Sequence, residues 1–85
     1  MNLMELDLNL PSSHAGNIFG QFDVFMKKIE KTLRISIVLR GDEVKLIGKE
    51  RDVKKAQDVI YSLLELSKRG NPITEQNVNY ALALS

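Results

Sequence analysis

The sequence predicts an α+β domain in which a three-stranded antiparallel sheet carries helices on one face. Three observations lead there. Leu6, Leu8 and Leu10 alternate strictly with Glu5, Asp7 and Asn9, the period of a strand with one buried face. The stretch "RISIVLRGDEVKLIGKE" sets two further alternating runs around Gly41-Asp42, which reads as a hairpin. On both sides of that hairpin, apolar residues recur at three- and four-residue spacing, as on amphipathic helices. Two hairpin strands cannot hide a sheet face alone, so the first strand joins them and the helices cover one side.

The first strand runs over residues 5–10 and ends at Pro11. Ser12 or Ser13 is expected to cap a short helix by accepting from its free N–H groups, with Ala15, Ile18 and Phe19 as its apolar side. Gly20 stops that helix. A second helix is expected from Asp23, as N-cap, to about Leu33, with Phe22, Phe25, Met26, Ile29 and Leu33 on one stripe. In the hairpin, Ile35, Ile37 and Leu39 share one face, and Ser36, Val38 and Arg40 the other. The order Gly41-Asp42 suits a type II′ turn, Val44 and Leu46 return on the next strand, and Gly48 closes it. A third helix spans about residues 51–68 on Val53, Ala56, Ile60, Leu63, Leu64 and Ser67. Lys68 and Arg69 sit at its negative end and Gly70 caps it. Past Pro72, Thr74 is an N-cap, and Ile73 with Val78 forms a hydrophobic staple. The last helix turns Val78, Ala81 and Leu82 inward and meets no stop signal, so the chain reads as cut rather than finished.

Eighty-five residues make one domain near the lower size limit for folding without staples. With no cysteine and one histidine, His14, there is no disulfide and no zinc site. Stability falls to the apolar core. The net charge of +1 is low for a dedicated nucleic-acid binder, so such binding would rest on a local patch. No apolar run has membrane-spanning length, and the acidic, alternating start is no signal peptide. The expectation is a soluble, cytoplasmic protein with no membrane contact.

The order β-α-α-β-β-α plus one helix, with a helix–Gly-turn–helix before the second strand, resembles the KH nucleic-acid-binding domain of type I. The likeness covers residues 5–67, including Gly20, Ile29, Ile35, Ile37, "VKLIG", Val53, Ala56 and Ile60. The blocks "LPSSHAGNIFGQFD", "KKIEK", "VKLIG" and "ITEQNV" further resemble the N-terminal domain of the PhoH-like (phosphate-starvation-inducible) proteins, over nearly the whole chain. That resemblance implies a KH-like domain at residues 1–70. It also implies a helix at residues 71–85 leading to a P-loop ATPase domain absent from this chain. No G-x-x-x-x-G-K-[ST] occurs here, so this segment is expected not to be an enzyme. ATP and Mg are expected only for the parent's other domain.

In a KH domain a G-x-x-G turn presents backbone N–H groups to the nucleic-acid backbone. The equivalent here is Gly20-Gln21-Phe22-Asp23, with aspartate replacing the second glycine. Two readings stand. In one the turn only caps and reverses a helix pair; in the other Gly20, Gln21 and Phe22 contact single-stranded RNA. Lys27, Lys28 and Lys31, with Arg34 and Arg40, form the best basic patch, against the plain alternative of a solvated face. Lys49, Arg51, Lys54 and Lys55 are interleaved with acids and read as helical ion pairs. Phe19 and Phe25 read as core, and Phe22 as the one aromatic placed to stack on a base. His14 reads as a surface or capping residue. Gly16 and Gly20, spaced as G-x-x-x-G, suggest close packing of the first helix on a neighbour. No paired carboxylates and no nucleophile–base pair can be assembled. The alternative function is a structural or protein-interaction module that docks on the ATPase domain or a partner subunit, or self-associates through the final helix.

Overall fold

The computed structural model describes residues 2–85. The elements follow in the order β1 (Leu3–Asn9), α1 (Ser12–Phe19), a single 3-10 turn (Gln21–Asp23), α2 (Val24–Leu33), β2 (Ser36–Arg40), β3 (Glu43–Lys49), α3 (Glu50–Lys68) and α4 (Glu75–Leu84). The sheet order is β1-β3-β2, antiparallel throughout, so the last strand in sequence is the central one. This is the predicted α+β architecture in the KH-like type I order.

The alternation in β1 turns Leu6 and Leu8 toward the core and leaves Glu5, Asp7 and Asn9 in solvent. In β3, Val44 and Leu46 face the helices with no exposed surface. Ile37 is buried beside them, whereas Leu39, expected on the same face, is exposed near the hairpin tip of the edge strand. Among the turn residues only Gly41 has positive φ, as a type II′ turn requires. Gly48 lies within β3 rather than closing it, because Ile35 crosses over it. A Cβ built there would meet Ile35 Cγ2 at 2.7 Å.

The helical cover centres on α3, which buries all six residues of the expected stripe, and Val59 as well. Its end is a Schellman motif: Asn71 N–H donates to Leu66 O at 3.2 Å, and Gly70 N–H to Ser67 O at 2.9 Å. Gly70, at φ 88°, supplies the left-handed residue this motif needs. Thr74 caps α4 by accepting from Asn77 N–H at 3.1 Å, while Asn77 Oδ1 accepts from Thr74 N–H at 2.9 Å. Ile73 and Val78 are both buried, completing the staple.

Three local expectations need correction. Neither Ser12 nor Ser13 caps α1. Ser12 is already helical, and its N–H donates to Asp42 Oδ1 at 2.8 Å, a cap supplied by the β2–β3 turn. Asp42 O also accepts from Leu10 N–H at 2.7 Å, so one hairpin residue fixes the whole β1–α1 junction. Asp23 does not cap α2. Its backbone is left-handed (φ 57°, ψ 29°), and its side chain makes no capping bond. A cap requires the extended backbone that aims the side chain at the helix. Gly16 makes no close helix contact, since a Cβ added there meets nothing within 4 Å.

Gly20 behaves differently. At φ 79°, ψ 170° it occupies a region open almost only to glycine, and a Cβ there would stand 2.7 Å from Phe25 Cδ2. Gly20→Ala is therefore expected to cost about 2–4 kcal/mol through backbone strain and a clash. Gly16→Ala, on an open helical face, is expected to stabilise by about 0.5–1 kcal/mol. Denaturant unfolding of the two variants checks the contrast, and equal effects would contradict it.

Candidate nucleic-acid interface

The turn between α1 and α2 is built by three backbone facts. Gly20 N–H donates to Gly16 O at 3.0 Å, closing α1, and Asp23 N–H donates back to Gly20 O at 3.1 Å. Between them the chain takes two consecutive left-handed residues, Phe22 (φ 57°, ψ 28°) and Asp23. A bulky side chain at positive φ is uncommon and costs of order 1 kcal/mol or more. The strain is spent on presenting Phe22, which is 84% exposed. Phe22 thus leaves the apolar stripe on which spacing placed it, because α2 begins only at Val24. Phe19 is buried, and Phe25 is half-buried against Gly20. The three phenylalanines therefore divide as core, lid over the glycine, and exposed ring.

On α2, Met26, Ile29 and Leu33 face inward. Val24, Lys27, Lys28 and Lys31 line a shallow depression of about 510 Å³ together with Phe25, Thr32 and Glu75. Lys27 and Lys31 are exposed, while Lys28 Nζ pairs with Glu75 Oε2 at 3.2 Å and ties α2 to α4. The structure thus brings the three lysines together, immediately after a turn carrying exposed Gln21 and Phe22. It does not bring Arg34 and Arg40 to them. Arg34 ends α2 in a left-handed conformation (φ 57°) and shares a separate depression with Lys49 and Arg51. Arg40 lies on the open face of the sheet among Asp7, Val38, Glu43 and Lys45. The other basic cluster runs from Lys49 at the end of β3 into α3, where Lys54 pairs with Glu50 at 3.0 Å.

Two acidic groups shape the same surroundings. Asp23 follows Phe22 in the turn. Glu30, on the flank of α2, accepts from Ile37 N–H at 2.8 Å through Oε2, so a carboxylate bridges α2 to the edge strand β2.

His14 is neither a cap nor a free surface group. Its Nδ1 lies 2.7 Å from Ser67 Oγ. Ser67, the one buried polar residue among those described, also accepts from Asn17 Nδ2 at 2.9 Å. The Asn17 amide further donates to Asn71 O and accepts from Ile73 N–H, both at 2.9 Å. The His14–Asn17–Ser67 cluster thus holds the α3–α4 connection against α1. Sequence offered no signal for it, since the partners stand 50 or more positions apart.

The α+β sandwich in this strand order, with a glycine-hinged helix pair, follows the KH-like pattern of elements. Comparison with known proteins finds relatives of one name. The chain is 34% identical over 71 residues to a PhoH-like protein of Bacillus subtilis, covering 84% of this chain and 22% of that protein. It is 27% identical over 77 residues to a PhoH-like protein of Mycobacterium tuberculosis, and 25% identical over 77 residues to one of Mycobacterium leprae. Both of these matches cover 91% of this chain and 22% of the relative. No family model matches. Over most of its length the chain resembles a part of PhoH-like proteins, and it spans about a fifth of the length of the curated relatives it matches.

Asn17→Ala removes the acceptor for Ile73 N–H and the donor to Ser67 and Asn71. It is expected to cost about 1–3 kcal/mol and to speed amide exchange in α4 more than in α3. Uniform acceleration through both helices would show that the cluster does not hold α4 selectively.

Proposed function

We propose that this domain is the N-terminal RNA-binding module of a PhoH-like P-loop ATPase, and that it performs no catalysis itself. Single-stranded RNA is engaged at the Gly20–Asp23 turn. Phe22 stacks on a base, Gln21 offers hydrogen bonds, and Lys27 and Lys31 contact phosphates. The observation that carries this reading is the exposed Phe22 ring on a strained left-handed turn leading into the lysine face. Strain of that kind persists where surrounding structure over-determines it, commonly at binding sites. ATP and Mg belong to the parent's remaining domain, and the parent acts in the cytoplasm. No helix among the described residues is long and apolar enough to cross a membrane, which is compatible with that setting.

A second reading has its own support: a KH-shaped module that docks on the ATPase domain or a partner subunit without nucleic acid. The chain carries a net charge of only +1. Lys28 is already paired, and Glu30 occupies the β2 edge. Asp23 places a carboxylate in the turn, where it repels phosphate.

Titration of the chain with a labelled single-stranded RNA at low salt separates the two. Under the RNA reading, affinity falls with added salt. Phe22→Ala weakens binding by about 1–3 kcal/mol, and Lys27→Glu with Lys31→Glu abolishes it. Asp23→Gly tightens it. Absence of binding at high micromolar protein, or binding indifferent to these changes, favours the docking module.

A further inference from the structure

A depression of about 590 Å³ lies between α3 and α4, and no residue of the proposed RNA site lines it. Its α3 side includes Asp58, Tyr61, Ser62, Glu65 and Leu66, with Arg69 just past the helix end, and its α4 side includes Tyr80, Ala81 and Leu84. Tyr61, Tyr80 and Leu84 are large apolar side chains left exposed. The charged groups at its margin are unsatisfied as well. Among the described residues, Asp58, Glu65 and Arg69 take part in none of the ion pairs.

The order of these residues is the informative feature. Reversed about the midpoint between Leu63 and Leu64, Asp58 falls opposite Arg69, Tyr61 opposite Leu66, and Ser62 opposite Glu65. Of these, Asp58 and Arg69 share the central stripe of the exposed face, about three turns apart, so acid meets base at both ends. A face complementary to its own reversal is what an isologous two-fold contact requires, because every contact then occurs twice. We infer that α3 pairs antiparallel with α3 of a second copy of this chain. Two Asp58–Arg69 ion pairs end the contact. The helical turn sets each Tyr61 beside its counterpart on one flank and each Leu66 beside its counterpart on the other, and Tyr80 and Leu84 of each α4 add apolar surface.

The contact is small, since the paired stretch of α3 is about 17 Å long at 1.5 Å per residue. It falls at the low end of specific interfaces, so a dimer that dissociates on the order of 100 μM is expected. Charge complementarity, rather than area, selects the partner. The pairing is independent of the RNA reading and uses none of its residues.

Sedimentation equilibrium of the 85-residue chain is the direct measurement. The parent sequence is expected to dimerise with rising concentration. Asp58→Arg and Arg69→Asp each set like charges against one another in both contacts, and each alone is expected to weaken association at least about tenfold. An equimolar mixture of the two variants restores opposite charges in both contacts and is expected to dimerise as the parent does. Both positions are exposed, and circular dichroism confirms that each variant is folded. A parent chain that stays monomeric at millimolar concentration overturns the proposal and leaves this face to other parts of longer relatives. Single variants that associate as well as the parent, or a mixture that does not recover, overturn it equally.

Discussion

The bend at Gly20 is the constraint on which the remaining structure depends. Two helices of eight and ten residues are too short to be stable alone and persist only by packing on the sheet and on α3. For both to do so the chain must reverse within a few residues. The reversal needs a backbone angle that side chains oppose, and the Phe25 ring then fills the space a Cβ would occupy. Once the turn is set, Ile18 and Phe19 enter the core from one side, and Met26, Ile29 and Leu33 from the other. The same reversal pushes Phe22 out into solvent. Core packing and the candidate interface are therefore two products of one backbone conformation.

A second layer of organisation comes from polar side chains acting over long sequence separations. Asp42 caps α1 from the hairpin tip, and Asn17 holds the α3–α4 connection. Lys28 reaches Glu75 across two helices. Each is a single residue stitching elements that the apolar core alone would leave free to slide. These bonds are exposed or half-buried and each contributes about 0.5–1 kcal/mol, which together is a visible share of the few kcal/mol that hold a domain this small. No buried side-chain polar atom among those described lacks a partner, so the layer is complete as well as sparse.

Features governed by neighbouring residues could be read from sequence. The β1 alternation, the Gly41-Asp42 turn, the α3 stripe, the Gly70 stop and the Thr74 cap with its staple depend on residues within a turn or two of each other. Features governed by distant residues could not. Ser12 looked like a cap until Asp42 supplied one from 30 positions away. Asp23 has the right side chain for a cap but a left-handed backbone, and its N–H is spent on Gly20 O. At the candidate interface, the lysine cluster was legible because one helix carries it. Arg34 and Arg40 scatter because a helix end and a sheet face, not sequence proximity, decide where they stand. Within α3 the spacing placed Ser67 inside, and Val59, three residues after Ala56 and four before Leu63, is buried on the same face though it was left out of the expected stripe.

The Glu30 carboxylate on Ile37 has an effect beyond joining α2 to the sheet. An outer strand normally offers a row of free amides on which a foreign peptide can lay itself down, and native proteins blunt such rows to avoid fibril-like growth. Here one rung of that ladder is already taken by a charged oxygen from the same molecule. An incoming peptide backbone would have to displace an anion before it could zip along β2. On this flank, recognition by strand addition is discouraged, and contacts through side chains or through the neighbouring turn are left as the easier way to engage the domain.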